Sequence, residues 1–446
     1  MSAYPLRRAV LLLAVSSVVA LSACSTSADD APTTTSVRTQ TTTTSPATTP
    51  SSPTPSTTTP TDGGAQPVPP IPLSTAELES LPGRLAINSD QRQMVSVMNP
   101  DLSFLELADT TGEFAAQPTW SPDGKFVAHA RVAADGEASV VVTDIADGSA
   151  TEYVTPFRVF YIQWRPDSGA IGVLGAGGQG TALVIIELDG GKVTPMHSAG
   201  SFYFHWSPDG STLVTHLDGS ALELVDVATG ERTPIDTETG TFEAPQWTSD
   251  GASIIYVKPL IIQSAGFVAW LSAQAAMDQL ISRNVVTGEE SVISEDPDIN
   301  SFSLSPDGTA IGYTTGADRE LRVVDLATGS REGLAIGTVF TWQWSPDSQK
   351  ILATGIEDGG LVLRVWDAGT VTEYFTALPT GPFFNRYLIF WGQYDRSMTL
   401  WAPDSSAFVF PATDRGVDSV FLQRLEDEFP QIVAPGAVAN FAPSNE

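Results

Sequence analysis

Four histidines, one cysteine and a glycine-rich hexapeptide are the residues of this 446-residue chain whose types invite chemistry. Histidine binds metals and moves protons near neutral pH. However, His129, His197, His205 and His216 form no H-E-x-x-H pair or other close ligand spacing, and each falls in or beside a stretch that reads as a strand. Structural histidines are the expectation. The run Gly175-Ala176-Gly177-Gly178-Gln179-Gly180 matches G-x-G-x-x-G. A dinucleotide site needs a helix to begin there and aim its N-terminus at the pyrophosphate. Here Ala182–Glu187 reads as another strand, so the run is expected to be a hairpin loop. No G-x-S-x-G nucleophile elbow occurs. The acidic residues offer no pair that stands out for acid–base work. No cofactor, no metal and no catalytic residue is therefore assigned.

Cys24 has a different reading. Arg7 and Arg8 precede an apolar run from Ala9 to Leu21, too short for a membrane span, which ends in Leu21-Ser22-Ala23-Cys24. That tetrapeptide resembles a bacterial lipobox. The resemblance implies removal of residues 1–23 and lipid attachment to Cys24. The expected product is exported and anchored on the outer face of the cell membrane, or to the outer membrane if the host has one. With no second thiol the domain has no disulfide to stand on.

From Cys24 to about Leu73 the chain is mostly Thr, Ser and Pro. Such a stretch cannot bury enough apolar surface to offset its conformational entropy, so residues 24–73 are expected to be a disordered stalk. Residues 74–446 are then the folded domain. The net charge of −30 argues against nucleic acid and against adsorption on anionic lipid.

The element that organises the rest is Phe204-His205-Trp206-Ser207-Pro208-Asp209-Gly210. Pro208 presets φ for a turn, Asp209 can bond nearby amides, and Gly210 takes the positive φ that a three-residue hairpin loop needs. Copies end in Trp120, Trp164, Trp247, Trp344 and Trp401, with Leu304 in place of the aromatic in one and a frayed copy at Phe441. They recur about every 40 residues among short strands and turns, the period of a β-propeller. The first unit, from Gly83, lacks a first strand, and Val438–Phe441 supplies one with nothing after it. The fold class is therefore all-β: a single propeller of four-stranded blades, closed by pairing the two chain ends. Eight blades are expected, with seven as the other count.

Gly83–Asp90, Val97-Met98-Asn99-Pro100-Asp101 and Gln117-Pro118-Thr119-Trp120-Ser121-Pro122-Asp123-Gly124 resemble the TolB-like propeller family with its WD40-like repeats. The resemblance covers about residues 83–444. It implies the fold and a periplasmic protein-interaction role. The chain departs from that family in its lipid anchor and stalk, in lacking a separate α/β domain ahead of the propeller, and in two insertions. The repeated Trp and Asp are expected to pack between blades and to cap turns.

The first insertion, residues 259–277, is uncharged before Met277 and contains Trp270; the second, residues 378–398, holds Phe383, Phe384, Tyr387, Phe390, Trp391 and Tyr394. Because strands alternate direction within a blade, both emerge at the same mouth of the ring, opposite the Ser-Pro-Asp-Gly turns. Two expectations stand side by side. The insertions pack on each other or over the channel as a plug, or these seven aromatics form a docking surface. The function expected is a non-enzymatic, monomeric binding platform for an envelope protein or glycan. The rival is a hydrolase or lyase acting on envelope glycans or peptides from the channel mouth. A sensor of small ligands would share features of both.

Overall fold

Each hairpin closes as its residue types dictate. In the copy after Trp206 the Ser207 hydroxyl donates to the Asp209 carboxylate at 2.6 Å and accepts the Thr212 amide at 3.0 Å. Asp209 also accepts the Ser211 amide at 3.0 Å, and Gly210 turns the chain at φ 70°. Three copies among the described residues carry serine at that position. There Ser168, Ser348 and Ser405 take φ of 62°, 59° and 59°. Their hydroxyls accept the amides of Asp123, Asp307 and Asp347 in the preceding unit. A contact between units thus offsets the strain of a left-handed side-chain-bearing residue.

The structure is a computed structural model that describes residues 68–89, 94–109, 114–177, 180–239, 244–260, 277–357 and 359–443. Cys24, the expected signal peptide, most of the expected stalk and Trp270 lie outside these residues. The described strands form seven hydrogen-bonded sheets, six of four strands and one of seven. Unit 1 comprises Leu85–Ser89, Met94–Met98 and Phe104–Asp109, completed by Val438–Phe441 from the far end of the chain. The closing register runs Leu85↔Phe441 to Asn88↔Val438, so neither edge is left open there.

Units 2 to 7 begin with Phe114–Trp120, Arg158–Trp164, Phe202–Trp206, Gln246–Trp247, Ser301–Leu304 and Thr341–Trp344, each followed by three antiparallel strands. Unit 8 comprises Ala407–Asp414, Val417–Arg424 and Gln431–Pro435, with a bridge from Trp401 to Phe408 at its inner side. Leu378 and Pro379, at the end of unit 7, pair with Thr413 and Ala412. That pairing merges units 7 and 8 into the seven-stranded sheet. Eight repeat units therefore appear as seven sheets.

The recurring Trp locks neighbouring units together. The indole N–H of Trp120, Trp164, Trp206, Trp247, Trp344 and Trp401 donates, at 3.2 or 3.3 Å, to a carbonyl of the preceding unit. The acceptors are Asn440, Thr119, Gln163, His205, Ser303 and Gln343, each the residue just before that unit's own motif aromatic or Leu304. Unit 6 has Leu304 there and no indole. Its backbone amide donates instead to Gln246 Oε1 at 2.9 Å. The Trp120–Asn440 bond carries the series across the join between the chain ends.

One boundary differs from the expectation. The stalk was expected to reach Leu73, yet Ile71 is buried in the core and its amide donates to Asp414 at 3.2 Å. An isolated isoleucine in a Thr/Ser/Pro stretch contributes little to composition, but it fits a gap beside unit 8. The glycine-rich run forms the expected hairpin, with Gly177 opposite Gly180. A side chain at Gly175 would meet Phe157 at 2.0 Å, which is why that strand carries glycine.

Candidate functional site

The inner strands surround a bore, and the second insertion turns into it. Thr380 caps α1 (Gly381–Arg386) by accepting the Phe383 amide at 3.2 Å, with Pro382 in the first turn. A 3₁₀ turn and α2 (Trp391–Tyr394) follow. Phe383, Tyr387, Trp391 and Tyr394 are all buried. Their rings stack edge-on or tilted against one another and against Phe410 and Tyr161.

The insertion is bonded to inner strands around the ring. Tyr387 Oη accepts the Gln117 amide at 3.1 Å, and Thr119 donates to the Ser397 carbonyl at 2.6 Å. Tyr161 donates to the Gln393 carbonyl at 3.1 Å, and Tyr394 to the Phe160 carbonyl. Trp391 donates to the Trp342 carbonyl at 2.9 Å, and Gln343 to the Met398 carbonyl at 2.9 Å. Residues 381–398 are therefore a plug, as one expectation had it for this insertion; of the first insertion, residues 261–276 lie outside the described residues. As docking residues, Phe383, Tyr387, Trp391 and Tyr394 are corrected. A run of aromatics reads the same whether it faces solvent or fills a hole, and here the unfilled bore takes it. Phe384 is half-buried and stacked on Phe340, while Phe390 is 39% exposed.

The plug does not cover the bore evenly. In units 1 and 7 the inner strands are buried throughout, and in unit 2 all but the leading Phe114 is buried. In units 4 to 6 the inner strands alternate instead. Tyr203, His205, Gln246, Ser301 and Ser303 keep accessible surface, while Phe202, Phe204, Trp206, Trp247, Phe302 and Leu304 between and beside them are buried. The lumen side of units 4 to 6, as far as its inner-strand residues are accessible, is thus polar.

The plug turns two charged residues, Asp395 and Arg396, toward this side. Arg396 Nη2 donates to the Phe302 carbonyl at 3.0 Å, and its guanidinium lies 6.0 Å from the Phe302 ring centroid. Asp395 Oδ1 is 3.0 Å from Arg396 Nε, and both side chains are nearly buried at 7% and 6% exposure. Burial pushes the Asp395 carboxyl up to about 6, against the pull of Arg396 and the Ser303 hydroxyl. Burial, reinforced by the Arg396 charge, pushes the His205 imidazolium down to about 3, so that ring is neutral at working pH. Its Nδ1 accepts the Trp247 amide at 3.2 Å, which leaves the proton on Nε2.

Sequence reasoning missed this lumen, although a signal for it existed. The residue before the motif position is Thr119, Gln163, His205, Gln246, Ser303 and Gln343 in units 2 to 7. It is polar every time. The remaining histidines are structural: His129 and His216 are buried within strands, and His197 pairs with Glu223 and Arg232. Elsewhere, an open cleft of about 280 Å³ between units 4 and 5 is lined by Asp236, Lys258, Arg283 and Glu290, whose charges are paired with one another. No group of three or more His, Cys, Asp or Glu among the described residues could hold a metal ion.

No protein-family model matches this chain, and no curated protein sequence does either. Solved structures do. A eukaryotic initiation factor aligns over 81% of this chain and 98% of its own, with 13% identity and a TM-score of 0.52. The β-propeller domain of the Trilobed protease from Pyrococcus furiosus, described as having an open velcro topology, aligns over 73% and 98%, with 13% identity and a TM-score of 0.50. TolB from Acinetobacter baumannii aligns over 75% and 83%, with 15% identity and a TM-score of 0.38. At such identities what is shared is architecture, and the chain is a β-propeller of four-stranded blades whose C-terminal strand completes the N-terminal blade.

Proposed function

We propose that this protein is a cell-envelope lipoprotein, anchored through Cys24, whose propeller acts as a binding platform at the mouth that carries the plug. The observation that supports the reading most is the way the plug is built. With four aromatics committed to the bore, it leaves large apolar side chains exposed at its rim. Phe114, Phe160 and Phe390 are exposed by 40%, 40% and 39%, and Arg386 sits 5.2 Å from the Phe114 ring centroid. Aromatic rings with an arginine among them are the usual make-up of a protein contact. These rim residues replace the buried aromatics as the proposed contacts, and the partner is an envelope protein or glycan.

The test uses the full-length chain as bait in an envelope extract, beside a Phe160→Ala/Phe390→Ala variant. Specific retention of a protein or glycan by the parent, lost in the variant at unchanged melting temperature, supports the platform. Equal retention by both baits moves the contact off this rim. Cell fractionation tests the anchor: Cys24→Ala is expected to move the protein from the detergent fraction to the soluble one.

A second reading, a hydrolase or lyase acting on envelope glycans or peptides, draws on the lumen. There Asp395 and His205 carry shifted acidities beside Ser303. Turnover of such a substrate that disappears in Asp395→Asn would favour it over the platform.

A further inference from the structure

The segment ahead of the first strand is fastened along its length. Pro69, Pro70 and Pro72 fix φ on either side of Ile71, so little conformational freedom is lost when the segment docks. At the mouth that carries the plug, Val68 lies beside Gly360 of unit 7, where a side chain would meet its Cγ1 at 3.3 Å. The Ile71 amide donates to Asp414, the last residue of Ala407–Asp414, and its side chain is buried. Farther on, the Ser74 amide donates to the Pro430 carbonyl at 2.9 Å, and Gln431 Nε2 to the Ala76 carbonyl at 3.1 Å. Arg424 donates to the Ser80 carbonyl at 2.6 Å, and the Leu81 amide to the Pro100 carbonyl of unit 1 at 3.0 Å. Residues 68–82 are thus a strap that runs the length of unit 8, from the plug mouth toward the opposite face.

The strand that the strap holds at the mouth is the one on which the plug is rooted. Thr413 and Ala412 pair with Leu378 and Pro379, which lead into the plug. The Pro411 carbonyl accepts the amide of Thr380, the residue that caps α1, at 3.2 Å. The Phe410 ring meets Phe383 edge-on, with centroids 5.5 Å apart. Thr380 also donates to the Ala437 carbonyl, next to the closing strand. Every residue from Phe410 to Asp414 therefore serves either the plug's first turn or the strap. Ile71 belongs to the same apolar cluster as Phe383, Phe410 and Trp391, so one core lies under both.

We infer that the strap holds the root of the plug, and that the N-terminal segment is thereby coupled to the mouth. Seated, Ile71 and its amide pin the end of Ala407–Asp414, and that strand presents the Pro411 carbonyl and the Phe410 ring to α1. Released, the strand end loses its outer support and the first turn of α1 loosens with it. Chain order makes this a device that responds to the N-terminal side. A pull on the chain ahead of Val68 loads Ile71 before it loads any strand of the ring.

Hydrogen exchange on the full-length chain, read by mass spectrometry, tests the coupling. Ile71→Asp withdraws the apolar anchor and sets a second carboxylate beside Asp414. The amides of Phe383, Phe384 and Tyr387 close the first turns of α1. They are expected to exchange about tenfold faster in the variant, while the inner strands of units 4 to 6 keep their rates. Ile71→Val, which keeps the anchor, is expected to exchange like the parent. Faster exchange at Ser74 with none at the plug root overturns the inference, and so does an equal rise in every unit. Should Ile71→Asp fail to fold, Ile71→Ala takes its place with the same expected and overturning results. Neither the Cys24 anchor nor the rim's partner enters this measurement, so both stand or fall separately.

Discussion

At the scale of single residues, the motif Trp is a donor as much as a filler. Trp206→Phe keeps most of the ring's volume but removes the bond to the Gln163 carbonyl. A buried carbonyl left without a partner costs about 1–3 kcal/mol. A urea midpoint lowered accordingly, with an unchanged slope, is the expected result. Asp395 and the turn aspartates act in opposite directions on stability with pH. The Ser207 hydroxyl and the Ser211 amide hold the Asp209 carboxyl low, so its contribution is present above the unfolded value of 3.8 and is lost as pH falls through the folded one. Asp395 is raised from 3.8 to about 6, so its folded form binds the extra proton. Its contribution is present below 3.8 and is lost as pH climbs through about 6. Asp395→Asn removes that loss, and the stability of the variant relative to the parent rises between pH 4 and pH 6.5. Paired urea titrations at the two pH values check the sign.

At the scale of elements, the hairpins were legible in the sequence because each needs only local chemistry. Ser, Pro, Asp and Gly at fixed offsets specify a turn wherever they occur, and the strands lie within a residue or two of where that turn puts them. The plug was legible as an element but not in its orientation. Nothing within residues 378–398 says what covers Tyr387 or Trp391, since the groups that do so are as distant in sequence as Gln117 and Trp342. The lumen was hidden for a related reason. His205 and Gln246 look like ordinary strand residues until the next unit consumes their acceptors. Tyr387→Phe probes the plug's fastening. It leaves the Gln117 amide, in a residue already at φ 62°, without the phenol oxygen it now reaches. A loss of about 1–3 kcal/mol is expected. Faster hydrogen exchange at the inner strand of unit 2 would mark where the loss is felt.

At the scale of the molecule, closure rests on four residues. A chain ending before Val438 loses the strand that completes unit 1 and, with Asn440, the acceptor for Trp120. Opened sheet edges invite intermolecular pairing. The truncated protein is expected to aggregate on heating where the parent refolds, which light scattering during a thermal cycle reads directly. In most repeat arrays each unit touches only its neighbours. Here the plug ties together units that are far apart around the ring.

The position of that plug along the chain has a consequence in time. A chain synthesised from its N-terminus presents units 1 to 7 before residues 381–398 exist, and the closing strand comes later still. Until then the inner strands face an empty centre, and the first unit lacks its innermost strand. The final shape is thus reached in one late event near the C-terminus, after the ring's parts have waited half-assembled. A protein built this way depends on being kept from its neighbours during that interval, more than on the speed with which any one hairpin forms.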